Sequence, residues 1–477
     1  MIAIANCHLE MVHELLKHSE VDVNARDPPT YMVRGTVLQY ASGGGYLSVI
    51  RELVKFKKLD VNFVCRGWRY DTALTMACVD DHLEVVKELL KHINIDVNGS
   101  NNDGFTSLHW SSHGGKARVI HELLKHHKLD VNAQDRSGRT ALMIASARGH
   151  LAAVRELLKH DGIALNVIDC GSNGETAFHL ATSNGHQDII FELLKDKRLD
   201  LHVQTKQGKT ALMYASFGGL LNVVQSLLED TKLDVNVQDV DGHSALHFAS
   251  VGGQSDVVRE LMRHDTLDVN AKDKQGQSAL VAASVRGHQH VVREVMEHPK
   301  IDVRSCGKLA LILTSILGHP SVVDELLKHD GIEVNASVER GQTALFLASA
   351  KGHLCVIRKL LMYGNIDVDA KMDLGWTAFY VATLCKHWDI AAALIAEGAD
   401  VNIHGRLGCT ALFWAVLHER LDAVAMLLKV DTIDANIKNK AGSTALDVAR
   451  QQGLHDIAHC LEEHAESCPQ KIMCLEE

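Results

Sequence analysis

Proline is scarce, at five residues in 477, and no stretch rich in Ser, Pro and Gly offers a linker, so a string of separate domains is disfavoured. No run reaches 18 consecutive apolar residues. The longest apolar patch, LALILTSIL at 309–317, is too short to cross a bilayer, and no membrane insertion is predicted. The first ten residues, MIAIANCHLE, lack the basic start, sustained apolar core and cleavage site of a secretory signal. No two cysteines are spaced Cys-x-x-Cys, and eleven is an odd number, so neither a disulfide framework nor a zinc ribbon is indicated. These absences predict a reducing compartment, the cytoplasm or the nucleus. An excess of positive charge is also missing: a formal net charge of -11 argues against a nucleic-acid partner. The terminal CLEE carries glutamates where a prenylation box needs an aliphatic residue and its usual end, so no lipid anchor is predicted.

What is present is a repeat. Hydrophobic residues make up 46% and charged residues 23% of the chain, the balance of a folded soluble protein. GRTALMIASARGHLAAVRELLKH (138–160) returns as GQTALFLASAKGHLCVIRKLLMY (341–363). The Thr-Ala-Leu position recurs at Thr36, Thr72, Thr106, Thr140, Thr176, Thr210, Ser244, Ser278, Leu309, Thr343, Thr377, Thr410 and Thr444, mostly 34 residues apart. That period belongs to a solenoid.

Each unit has a physical reading. Thr140 is placed to cap a short helix by accepting a backbone N–H, and Gly149 to end it in the left-handed conformation. A second helix follows, with Leu151, Val154, Leu157 and Leu158 as its apolar stripe and Arg155, Glu156 and Lys159 toward water. LDVNAQDRSGRT (129–140) then forms an extended loop with a Ser-Gly turn. Helices this short are marginal alone, so stability must come from stacking on neighbours.

The recurring order of Thr-x-Leu, Ala-Ser, Gly-His, Val-Val-x-x-Leu-Leu and Asp-Val-Asn resembles the ankyrin-repeat family, from about residue 3 to residue 464. The resemblance implies an all-α, ankyrin-type helical solenoid of about fourteen repeats with short projecting hairpin-like loops, the first repeat incomplete. The array spans 1–464 and a flexible polar tail spans 465–477. Three departures from the family pattern stand out. The Pro that usually follows the Thr is replaced, mostly by Ala, and most units carry one extra residue before Asp-Val-Asn. The loop before Leu309 is three residues short, so the tenth unit should lack most of its finger near 304–308.

Catalytic patterns fail on spacing. HELLKH (121–126) has its second histidine five residues after the first, not four; His121 and His126 then lie roughly 140° apart around a helix and cannot grip one zinc ion. Eighteen of the thirty histidines fall at three repeat positions, which favours structural roles over ligation. His455, His459 and Cys460 share a helix but show no third ligand nearby. QGKT (207–210) has Val203 where a phosphate-binding loop needs glycine, and the glycines at 43–45 fall on a turn. Cys468 and Cys474 sit in the tail as exposed thiols. No cofactor, metal or catalytic residue is therefore predicted, and the chain is read as a non-enzyme.

The resemblance implies partner recognition through finger tips and the concave helix faces, as a scaffold or adaptor. Residues flanking the finger turns and closing the first helices select Arg136, Arg139, Arg148, Lys206, Lys209, Phe217, Lys274, Arg286, Arg340 and Lys351. Nine cations stand there against Glu175, Asp241 and Glu339, a basic track in an acidic chain. Asp135, Asp169, Asp239 and Asp273 lie close by and would cut that excess unless turn N–H groups engage them. An acidic peptide or acidic protein surface is the expected partner, with Trp68, Tyr70, Phe105 and Trp376 as aromatic anchors. At the N-terminal end Ile2, Ile4 and Met11 should be exposed, and an upstream segment, a partner or self-association is expected to cover them. Two rival readings are a metal-dependent hydrolase and the non-catalytic repeat region of a larger enzyme.

Overall fold

The computed structural model describes residues 9–18, 21–26, 35–64, 72–171, 173–405 and 407–467. Among them are 27 α-helices, one 3₁₀ turn at Glu339–Gly341 and isolated β-bridges, with no β-strand. The chain forms two compact units, residues 1–245 and 246–477.

In the first unit the fifth repeat shows how sequence becomes structure. Thr140 is extended (φ -89, ψ 166), and its hydroxyl accepts the Met143 N–H at 3.3 Å, starting the helix Ala141–Arg148. Gly149 closes that helix at φ 79, and Leu151–Leu158 runs as its partner. The buried stripe of the second helix centres on Ala153, Val154 and Leu157. Leu151 and Leu158 are only half-buried, a correction to the stripe expected from spacing, because they sit roughly 100° from that centre.

Repeats are tied to their neighbours by the motif residues themselves. The ring of His150 donates to His113 O at 3.0 Å and that of His186 to Ala147 O at 3.1 Å, each reaching back one repeat. The same rings explain the glycine before each histidine: a Cβ on Gly149 would stand 2.8 Å from the His186 ring. Asn132 gives Asp-Val-Asn its meaning, donating to Gly162 O at 2.7 Å and accepting the Ala164 N–H at 2.8 Å. Finger tips join as well, with Arg136 N–H on Asp103 O at 2.9 Å, Cys170 N–H on Ser137 O at 2.7 Å and Lys206 N–H on Asn173 O at 2.8 Å. The recurring His and Asn side chains are therefore those that bond across a repeat boundary.

The second unit repeats this scheme, with His288 on Val251 O at 3.0 Å, His319 on Val285 O at 3.1 Å and His353 on Ile316 O at 2.8 Å. One element departs from it. Residues 304–308, expected as a shortened loop, belong to a 15-residue helix, Val303–Leu317. Asp302 caps it by accepting the Ser305 N–H at 3.2 Å. Gly307 lets it lie against Ile332, where a Cβ would stand at 2.4 Å. With three residues missing, the turn that builds a finger has no room, and helix fills the gap.

At the ends, Leu9–Leu16 carries Met11 56% and Leu15 50% exposed beside buried Val12, while Ile2 and Ile4 lie outside the described residues. The final helix runs His455–Ser467, so residues 465–467 continue it. Residues 468–477, with Cys468 and Cys474, lie outside the described residues.

Candidate functional site

Fingers and first-helix ends hold the residues of interest, and each unit builds its own surface. In the first unit Phe105 is half-buried at the base of the fourth finger, with ring centroids 5.6 Å from His109 and 5.0 Å from Trp110. Arg139 lies over the Phe105 ring at 5.6 Å. Two predicted binding residues, 34 positions apart, thus meet. Arg139 is already paired within its own finger, however: its guanidinium bonds Asp135 at 2.9 and 2.8 Å. Asp135 is almost fully buried and also accepts the Ser137 and Arg139 N–H groups at 2.8 and 2.9 Å.

The other first-unit cations differ among themselves. Arg136 is exposed at its finger tip. Arg148, also exposed, bonds the His113 ring at 2.6 Å, and His113 in turn packs edge-on to Trp110 at 5.7 Å. Lys206 is exposed and donates to the carbonyls of Cys170 and Gly171 at 3.2 and 2.7 Å, while half-buried Lys209 gives its backbone N–H to the Thr205 hydroxyl at 3.1 Å. Phe217 ends the helix Ala211–Phe217 and is 52% exposed. Trp68 and Tyr70 lie outside the described residues.

In the second unit Lys274, Arg286, Arg340 and Lys351 are all exposed. Arg340 takes φ 64 in the 3₁₀ turn, an uncommon conformation for a side chain of that size. Trp376 is half-buried against Phe346, Met372 and Val381, 5.5 Å from the Tyr380 ring, and its buried indole N–H has no hydrogen-bond partner among the described residues. Tyr380 accepts the Trp414 indole N–H at 3.1 Å. His113, Tyr380 and Trp414 escaped the sequence reading, because their partners lie about a full repeat away and no local motif marks them.

The histidines have structural positions. His121 meets Glu156 of the next repeat at 3.1 Å, whereas His126 stacks on His127 at 5.1 Å, so the two do not converge. Buried His109 accepts from the Thr106 N–H through Nδ1 at 3.1 Å, and its Nε2 reaches Arg139 O at 3.0 Å. Burial holds the His109 imidazolium below its usual range and pushes the His179 value down to about 4. Asp239, Asp241 and His243 place possible ligand atoms within 4.8 Å of one another. Asp239 is already engaged, accepting the Asp241 and His243 N–H groups at 2.9 and 2.8 Å, which makes it a turn clamp. His459 is exposed and lies 3.7 Å from Glu463.

Comparison with known proteins agrees with this architecture. The family model described as ankyrin repeats (3 copies) matches in overlapping windows from residues 1–101 through 394–471. Among solved structures, the ankyrin repeat domain of Bcl-3, described as a unique member of the IkappaB protein family, is similar at 28% identity with a TM-score of 0.42. The match covers 47% of this chain and 98% of that one.

Proposed function

The chain belongs to the ankyrin-repeat family, and on that premise we propose that it is a protein-interaction scaffold or adaptor whose partner presents an acidic segment. Ankyrin repeats are protein–protein interaction modules. The observation that supports an acidic partner is how the cations are paired. On second helices many sit in ion pairs, Lys159 with Glu156 at 2.6 Å, Lys195 with Glu192 at 2.9 Å and Arg293 with Glu325 at 3.0 Å, with Arg118 and Arg358 as exceptions. Arg136, Arg148 and Lys206 in the first unit, and Lys274, Arg286, Arg340 and Lys351 in the second, make no ion pair among the described residues. A cation already matched to a carboxylate attracts a second one weakly, so an acidic segment gains most on the fingers and first-helix ends.

Binding of a fluorescein-labelled decaglutamate peptide tests this reading. Arg136→Glu with Arg148→Glu should weaken it at least fivefold in low salt and flatten its salt dependence. Lys159→Glu with Lys195→Glu should change it little; equal losses from both faces would remove the proposal. No helix of the described residues is long and apolar enough to cross a membrane, and a non-catalytic role in the cytoplasm or nucleus is the setting proposed. A second copy of this chain is the partner proposed for the exposed Met11 face of Leu9–Leu16. A clean monomer by light scattering, unaltered by Met11→Glu, would dismiss that contact.

A further inference from the structure

We propose that the cleft between the last three fingers binds an extended segment in which large apolar side chains alternate with carboxylates. This rests on the reading of the chain as a protein-binding array, but it uses none of the residues assigned above. The cleft has a volume of about 790 Å³ and lies between the finger residues 371–376, 404–405 with 407–409, and 438–443. Its apolar lining is Leu374, which is 38% exposed, with Ile403 and Ile437 deeper. Lys371, Lys438 and Lys440 line it as well, all exposed and in no ion pair among the described residues. One carboxylate shares the lining, Asp400, and it accepts the Asn402 N–H at 2.9 Å.

The charge arises from what these fingers lack. Where the fifth, eighth and ninth fingers carry Asp135, Asp239 and Asp273 as turn clamps, the last three carry Met372, Gly405 and Asn439. Asn439 supplies the same two acceptor bonds, to Ala441 N–H at 2.9 Å and Ser443 N–H at 3.1 Å, without a negative charge. No acid at the turn-clamp position therefore offsets the lysines, and exposed Asp373, in the first of these fingers, lies outside the lining. The cleft's fingers are also fixed in place: Gly405 packs closely on the Tyr380 hydroxyl, with no room for a Cβ, and Lys440 N–H bonds Leu407 O at 2.9 Å. A preformed site loses less on binding. Extended chains send successive side chains to opposite faces, so an alternating segment lays its apolar side chains on Leu374, Ile403 and Ile437 and its carboxylates among the lysines.

Fluorescence anisotropy with three labelled eight-residue peptides, alternating Leu-Glu, Ser-Glu and Leu-Lys, tests the assignment. The Leu-Glu peptide should bind at least tenfold tighter than either control. Lys371→Glu, Lys438→Glu and Lys440→Glu together should abolish that binding. Leu374→Asp, at an exposed site, should erase the preference for Leu-Glu over Ser-Glu with an unchanged thermal melt. Equal binding of Leu-Glu and Ser-Glu peptides, or full binding by the triple variant, would overturn the proposal. Decaglutamate binding through Arg136 and Arg148 is read separately: if it persists while the Leu-Glu preference is absent, the cleft falls and the array reading stands. If it is absent while the cleft binds, the reverse holds.

Discussion

The finger that opens at Asp135 and the one that opens at Met372 close with the same backbone bonds. Asp135 N–H reaches Arg139 O at 3.0 Å and Met372 N–H reaches Trp376 O at 3.0 Å; Gly138 N–H returns to Asp135 O at 2.9 Å and Gly375 N–H to Met372 O at 2.7 Å. Their side chains diverge. Asp135 clamps two N–H groups and captures Arg139, whereas Met372 turns into an apolar cluster with Phe346 and Val381. The hairpin itself therefore does not need the acid. What the acid sets is the charge of the tip and whether a neighbouring cation is already paired, so two fingers of one fold present different chemistry.

That comparison assumes each finger is governed by its own repeat, and a core substitution is the strongest way to break it. Leu157→Ala removes a fully buried side chain and should cost about 2–5 kcal/mol. Hydrogen exchange should show lost protection in the fifth repeat and its neighbours, with the finger at 372–377 unaffected. Uniform loss along the chain would mean that fingers cannot be compared one by one.

Acid separates the same regions. His179 is buried and its imidazolium is disfavoured, with the folded value near 4 against about 6.5 for the exposed group. The unfolded chain thus binds more protons in that window. The contribution is fully present above pH 6.5 and is lost as pH falls toward 4, on the order of 3 kcal/mol when complete. Repeats nine to thirteen carry Val281, Ile312, Phe346, Tyr380 and Phe413 at that place, and none of these gains a proton there. Between pH 7 and pH 5, protection factors, corrected for the intrinsic slowing of exchange in acid, should fall around His179 and not around Phe346. His179→Met, copying Met143 of the fifth repeat, should abolish the difference.

Asp135 offers a finer cut. Asp135→Ala should destabilise its finger by about 1–3 kcal/mol through two orphaned N–H groups. Asp135→Asn keeps an acceptor, as Asn439 does, and should cost under about 1 kcal/mol while releasing Arg139. If Asp135→Asn leaves decaglutamate affinity unchanged or lowers it, the electrostatic reading of the finger is wrong.

The architecture was legible because its signals are local. Thr140 and Gly149 announce their helix, and the 34-residue period announces the stack. The surface was legible only in part. Arg139 is four residues from Asp135, close enough to pair, yet whether the aspartate would engage it or only the turn N–H groups depended on a finger geometry that the sequence leaves open. Arg148 finds His113 and Trp414 finds Tyr380 across 35 and 34 positions, a register set by how repeats stack. Lys371, Lys438 and Lys440 are visible as residues, but no local motif shows that stacking gathers them around one cleft. The helix at 303–317 was half legible: the missing residues are countable, while the Asp302 cap that makes them helical is not a repeat feature.

The smallest expected effect should be the same in both regions. The serine six residues after the capping threonine recurs as Ser146 and Ser349, and both hydroxyls are fully buried with no hydrogen-bond partner among the described residues. At the equivalent place Thr182 donates to Phe178 O at 2.8 Å, while Cys78 and Val416 fill the slot without a hydroxyl. The slot therefore tolerates an apolar atom. Replacing an unpaired buried hydroxyl by a hydrogen removes a desolvation cost and loses little packing, so Ser146→Ala and Ser349→Ala should each be neutral or stabilising by up to about 1 kcal/mol. Urea denaturation with exchange readout in each repeat measures this. Because the slot lies beneath the first helices and away from the finger turns, the two values should agree, unlike those of the finger variants. A loss above about 1 kcal/mol at either serine would show that its hydroxyl has a partner after all, and a loss at only one would extend the regional difference from the fingers into the core.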